Sequence, residues 1–212
     1  MLKLDHLAVV APTLEEGVEH VWNCLGVEMG PGGQHPQMGT HNRLLRLGDD
    51  IFLEVIAIDP KAQAPVYPRW FGLDERDTVR SNWDQGLRLR AWVAQTQVMD
   101  EVLIGHSAML GHKVEVSRGD RSWHFSVRPD GLLPMGGAIA PVIDWGVRGN
   151  PAPDMEDLGA ELVRFGMEHP DPSVVNILLD RLEVLNPPTV IEGKNLRFFA
   201  DIGTPNGIRR LT

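Results

Sequence analysis

The chain has 212 residues, 42% of them hydrophobic, enough to bury a substantial core as one large domain or two small ones. Against 29 acidic residues stand 20 scattered Lys and Arg, a formal charge of −9, which argues against nucleic acid or an anionic membrane surface and leaves a small, neutral or anionic molecule as the expected ligand. A single cysteine, Cys24, rules out a disulfide framework. The N-terminal apolar run breaks at Asp5, His6 and Pro12 before it reaches signal-peptide or membrane length, so a cytoplasmic protein is expected.

In chain order, "LDHLAVVAPTLEEGVEHVWNCLG" reads as a strand followed by a helix from Thr13. Thr13 and Glu16 make a capping box, Leu14, Val18, Val21, Trp22 and Leu25 form a helical stripe, and Gly26 ends the helix. "GPGG" precedes no helix and reads as a turn. "THNRLLRLG" and "IFLEVIAID" then read as two strands joined through Gly-Asp-Asp. After a Pro-rich connection, "LRLRAWVAQTQVMDEVLIGHSAMLG" repeats the strand and helix. "HKVEVSR", "SWHFSVRP" and "AIAPVIDWG" follow it as strands. A weaker third copy starts at Glu161, with a helix carrying Val174, Ile177, Leu178 and Leu182, followed by "PTVIEG", "LRFFADIG" and "GIRRL". The repeated plan predicts an α+β fold of tandem βαβββ modules, a curved, mostly antiparallel sheet backed by helices. The expected divisions are a first module over 1–60, a connecting loop over 61–86, a second module over 87–146 and a degenerate third over 147–212.

Modules opening on "LDHLAVV" and closing on "LEVI", with "GGQHPQMGTHNRLLRLG", "RPDG", "VIDWG" and "EHPDPSVV", resemble the vicinal oxygen chelate superfamily and, within it, the glyoxalase-like domain proteins. The resemblance spans about Leu4 to Arg209. It implies a cup-shaped sheet whose concave face, in active members, holds a divalent metal between the first and last strands of each module. His6 and Glu54 match two of those positions and are the expected catalytic pair and metal ligands, for Mn, Fe, Ni or Zn. Matching "VVAPT" to "WVAQT" puts Leu89 where His6 stands, and matching "LEVI" to "APVI" puts Pro141 where Glu54 stands. Neither ligates a metal, so a metal-free site is the alternative. A register slip of one would bring Arg90 to that place instead, able to pair with Glu54.

A carboxylate in the apolar strand "IFLEVIAID" needs a partner, because an unpaired buried charge costs several kcal/mol. For Glu54 the candidates are a cation such as Arg43, Arg46 or Arg90, backbone hydrogen-bond donors, a metal, or a role as general base. Further substrate contacts are expected from His35, Thr40 and Asn42 in "QHPQMGTHN". Arg128 would supply a fork for a carboxylate or phosphate unless it merely turns back to Asp130, and Trp145 would wall the cup. The resemblance therefore implies a lyase, isomerase or ring-cleaving dioxygenase, or a non-catalytic protein that sequesters a small molecule. Sheets of this type often complete their cups by pairing, which leaves room for a homodimer, although no residue pattern demands one.

Overall fold

A computed structural model describes residues 1–212. The first strand, β1 (Leu2–Val10), shows how the sheet acquires two different faces. Leu7 and Val9 point to one side and Ala8 and Val10 to the other, as the period of two requires. Leu2 and Leu4 would share a face with His6, Ala8 and Val10, yet they pack with Leu7 and Val9. A bulge at Asp5, which has no partner on the neighbouring strand while Leu4 and His6 face consecutive residues, switches the parity.

Next come α1 (Leu14–Leu25), β2 (Gly30–His35), β3 (Thr40–Arg46) and β4 (Phe52–Ile58). Thr13 caps α1 by accepting the Glu16 N–H at 3.2 Å, and Gly26 closes it at φ 65°. The buried face of α1 is Gly17, His20, Val21 and Leu25, whereas Trp22, placed in the apolar stripe on sequence, is 49% exposed. The face is chosen by close approach. A Cβ on Gly17 would stand 2.3 Å from Val55 Cγ1, so the helix lies directly on β4 through that glycine.

"GPGG" is not a turn but the start of β2, an edge strand with Pro31 at a bulge between Gly30 and Gly32. An edge and a bulge are the two places where a strand tolerates a residue with no N–H. A Cβ on Gly32 would fall 1.8 Å from the Asn42 carbonyl, so glycine lets the two strands close.

The chain continues through α2 (Arg76–Asp84), β5 (Leu89–Gln95), α3 (Met99–Leu110), β6 (His112–Arg118), β7 (Arg121–Val127) and β8 (Val142–Asp144). The last stretch holds β9 (Glu161–His169), α4 (Pro172–Arg181), β10 (Val184–Leu185), β11 (Thr189–Glu192), β12 (Arg197–Thr204) and β13 (Gly207–Leu211). The main sheet runs β2-β3-β4-β1-β5-β8-β7-β6, with β10 paired to the start of β1. β1 is parallel to β4 and antiparallel to β5. A second sheet runs β11-β9-β12-β13. The architecture is the expected α+β arrangement of a curved sheet with helices on one side.

The two faces of the main sheet bury separate cores. On the helix side, Leu7, Val9, Leu53 and Trp92 join Val21, Leu25 and Leu110 from the helices and Phe165, Phe198 and Ile202 from the second sheet. α4 faces this core with Val175, Leu179 and Leu182, while Val174 and Ile177 are largely exposed. The concave face carries Ala8, Val10, Phe52, Ala91, Val93, Phe125 and Trp145, and a segment before α2 covers it with Trp70 and Phe71. No helix is long and apolar enough to cross a membrane.

Phe71 is buried at φ 58°, ψ 15°, a left-handed backbone that a side chain with a Cβ adopts at a cost of about 1 kcal/mol. The neighbouring contacts hold it there. Arg69 pairs with Asp74, and the Gly72 N–H donates to the Gly131 carbonyl at 2.8 Å. Both Phe71→Ala and Phe71→Gly should destabilise the protein by several kcal/mol through the lost ring. Urea denaturation should nevertheless find the glycine variant more stable than the alanine variant by about 1 kcal/mol, the reverse of the usual order.

Candidate functional site

The bulge at Asp5 places two adjacent side chains, Asp5 and His6, in the concave interior, where regular alternation would have separated them. His6 Nδ1 lies 2.6 Å from Asp5 Oδ1, and His6 Nε2 lies 3.5 Å from Glu54 Oε2 on the parallel neighbour β4. Asp5 is itself held by two donors, the Trp145 indole N–H at 2.8 Å and the Asn150 amide at 2.7 Å. Glu54 accepts the Asn42 amide at 2.6 Å across β3. Asn42 cannot turn over, because its carbonyl oxygen already takes the Gly33 N–H at 2.8 Å and lies 3.3 Å from Arg118. The result is a buried row of carboxylate, imidazole and carboxylate with every member fixed by a third group.

Charge states follow from this packing. Burial by itself pushes the His6 pKa down, but hydrogen bonds to Asp5 and Glu54 and the charges of both outweigh it and raise the value to about 9. Burial pushes the Glu54 carboxyl up, and the His6 hydrogen bond and charge, with His35 and Asn42, bring it below the usual range. An imidazolium therefore faces a carboxylate at neutral pH. His35 differs: burial lowers it to about 4, with Arg118 among the groups opposing protonation, so it stays neutral and meets the Thr40 hydroxyl at 3.1 Å.

The cavity above these groups measures ≈ 30 Å³, room for about two waters. Its walls are aromatic: Phe52, Trp70, Phe71, Trp123, Phe125 and Trp145. Phe52 stacks on the His6 ring at 4.5 Å. The Trp70 indole N–H is buried with no acceptor in the protein. A larger cleft of ≈ 420 Å³ lies between α1 and α2, but Glu15, Arg76, Asp77 and Arg80 on its rim are exposed and Arg80 is tied to Glu16. Buried polar groups converge in the cup, and solvated ones surround the cleft.

Of the residues singled out on sequence, His6, His35, Asn42, Glu54 and Trp145 line the cavity. Thr40 is buried behind His35. Arg128 is elsewhere: it turns back to Asp130 at 2.7 Å and donates to the Met109 carbonyl. The polar side of β7 does not face the cup; its apolar side does, through Trp123 and Phe125. None of Arg43, Arg46 or Arg90 pairs with Glu54, since Arg46 goes to Asp49 and Arg90 to the Gly136 carbonyl. The guanidinium in the cup is Arg118, at the end of β6, which the sequence reading missed together with Asp5 and Asn150. A signal for Asp5 was present in the juxtaposed Asp-His of an apolar strand. Arg118 had none, because the β6-β7 hairpin must fold before it reaches across to Asn42.

A sequence model of the glyoxalase-like domain matches residues 4–183. The chain belongs to that family. A hypothetical protein from Staphylococcus aureus shares the fold, with a TM-score of 0.54 at 12% identity over 99% of this chain and 85% of that one. A Streptomyces coelicolor methylmalonyl-CoA epimerase variant bound to 2-nitronate-propionyl-CoA aligns over 69% of this chain and 97% of its own, at 14% identity and a TM-score of 0.44. The epimerase of Mycobacterium tuberculosis aligns over 68% and 89%, at 14% identity and 0.41. No curated protein matches the sequence.

A metal held as the family resemblance implies does not fit these residues. His6 Nε2 and Glu54 Oε2 are two donors, and no group of three or more His, Cys, Asp or Glu converges anywhere. Leu89 sits in the helix-side core, and Pro141 offers only a carbonyl, already taken by the Ala94 N–H. Catalytic metal sites generally need three protein ligands.

Proposed function

We propose that this glyoxalase-like protein is an isomerase- or lyase-type enzyme that moves a proton on a small carbonyl acid, with Glu54 as base and His6 as acid. The observation that carries this reading is the buried pair of His6 imidazolium and Glu54 carboxylate, 3.5 Å apart and facing one aromatic cavity. Glu54 takes the proton from the carbon beside the carbonyl, and the C–H electron pair moves into the carbonyl to give an enolate. The His6 Nε2–H hydrogen-bonds the enolate oxygen, in a site where water does not screen the interaction. Return of the proton to the opposite face of the same carbon completes an epimerisation, and where that carbon bears a hydroxyl the intermediate is an enediolate, so return to the neighbouring carbon completes an isomerisation. Departure of a β-substituent from the enolate completes an elimination.

Supporting roles fall to neighbours. Asp5 holds the His6 ring and favours its charged form. Arg118 has no carboxylate partner in the protein and would take the substrate's carboxylate, while the aromatic walls would take its carbon skeleton by giving way, since the cavity of ≈ 30 Å³ is smaller than any such acid. The orphan Trp70 N–H is a further donor for a substrate oxygen.

Small 2-oxo and 3-oxo acids incubated with the protein in D₂O, with and without EDTA, give the test by proton NMR. Loss of α-proton signal above the buffer rate, unaffected by EDTA, is expected. No exchange with any acid would overturn the reading. Saturable binding without exchange would favour a second reading, a sequestering protein, for which the closely packed aromatic wall is the supporting observation.

A further inference from the structure

Among the buried and half-buried arginines, Arg46, Arg69, Arg121 and Arg128 pair with carboxylates and Arg88 lies over the Trp83 ring. Two remain without carboxylate or ring. One is Arg118 in the cup. The other is Arg90, whose single hydrogen bond runs to the Gly136 carbonyl at 3.4 Å.

Arg90 occupies a structural exception. It is the bulged residue of β5, without a partner on β1, while Ala91 and Leu89 face Ala8 and Val9. The bulge turns its side chain out of the ladder into a second cavity of ≈ 190 Å³. Thr78 and Asn82 of α2 supply polar walls, and Val10, Val79 and Leu133 apolar ones. Glu75 also lines this cavity, yet the one hydrogen bond of Arg90 goes to the Gly136 carbonyl and not to that carboxylate. Phe71, with its positive φ, lines both this cavity and the cup, so the two adjoin across one ring on the concave face.

A guanidinium partly withdrawn from water and left without a counter-charge is costly, and burial alone accounts for its lowered pKa. An anion with two oxygens in a plane would satisfy the fork. We infer that the Arg90 cavity is an anion-binding subsite for a carboxylate or phosphoryl group, separate from Arg118 and independent of the proton chemistry at Glu54.

The test is titration of the ¹⁵N-labelled protein with sodium phosphate and, separately, sodium acetate at constant ionic strength, read by amide and Arg Nε–H shifts. Saturable shifts at Thr78, Asn82 and Arg90 are expected. Arg90→Gln should weaken binding about tenfold or more, Arg90→Lys should keep part of it, and Arg118→Gln should leave it unchanged. Preference for phosphate over acetate would assign a phosphoryl group, and the reverse a carboxylate. Absence of saturation with both anions, equal affinity in Arg90→Gln, or shifts confined to Arg118 would overturn the inference. If Arg90→Gln does not fold, as judged by circular dichroism, the wild-type shift map and Arg90→Lys decide. Failure here leaves the exchange reaction at Glu54 unaffected, since that reaction is read with different variants.

Discussion

Stability against urea is expected to peak near pH 6.5 and to fall on both sides, by about 3 kcal/mol per limb, because two buried histidines titrate in opposite senses. His6 is raised from 6.5 to about 9 in the folded protein. Its contribution is complete below pH 6.5 and disappears as pH rises through 9, since the folded protein then surrenders a proton that the unfolded chain has already lost. His35 is lowered from 6.5 to about 4. Its contribution is complete above pH 6.5 and disappears as pH falls through 4, since the unfolded chain takes up a proton that the folded protein resists. Glu54, held below its usual range, steepens the acid limb further. His35→Gln should shrink the acid limb and leave the alkaline one, whereas His6→Asn should flatten the alkaline limb, shorten the acid limb because His6 is what holds Glu54 low, and weaken the fold at neutral pH by leaving two carboxylates facing each other. A wild-type profile that stays level between pH 6.5 and 9 would mean that His6 is neutral and the acid role assigned to it is wrong.

Glu54→Gln is expected to reduce α-proton exchange by about 10²- to 10⁴-fold, the usual worth of a positioned general base. The substitution keeps the shape of the side chain and an oxygen for the Asn42 amide, so the loss should appear in turnover with little change in fold. The same variant removes one of the two carboxylates that raise His6. Nitrogen-detected titration of the His6 ring should therefore find its midpoint below that of the wild type, and the alkaline limb of the stability profile should contract. Undiminished exchange in Glu54→Gln would remove the carboxylate from the reaction, whatever the His6 titration shows.

Much of the site was legible because a buried polar residue in an apolar strand is chemically conspicuous. Glu54 interrupts "IFLEVIAID" and His6 interrupts "LDHLAVV", and both lie in the cup. Asn42 stands two residues after Thr40, so one face of β3 carries both inward. What fixed their partners was not legible. The resemblance had set Glu54 beside His6, but where a cation from Arg43, Arg46 or Arg90 was expected to satisfy it the structure supplies the Asn42 amide. Arg128, the arginine favoured for anion contact, closes a local turn with Asp130, an interaction two residues away in sequence that needs no fold at all.

Local spacing by itself determined most strands and helices, though not β2, read as a turn, nor α2, which lies in the expected connecting loop, together with the caps at Thr13 and Gly26 and the two polar intruders, because periodicity, capping and burial preference are properties of neighbouring residues. Tertiary structure decided the rest. Apolar residues on α4 satisfy helical spacing on two overlapping faces, and only the second sheet selects Val175, Leu179 and Leu182 over Val174 and Ile177. The bulges at Asp5 and Arg90 arise from pairing β1 with β5, which are separated by the rest of the first module and the connecting segment, and each reverses the side of the sheet that a side chain faces. Those two single-residue offsets bring Asp5 to His6 and turn Arg90 into its own cavity, and although the Asp-His pair and the slip at Arg90 could be noticed in each strand alone, only the pairing of the two strands fixes where the bulges fall.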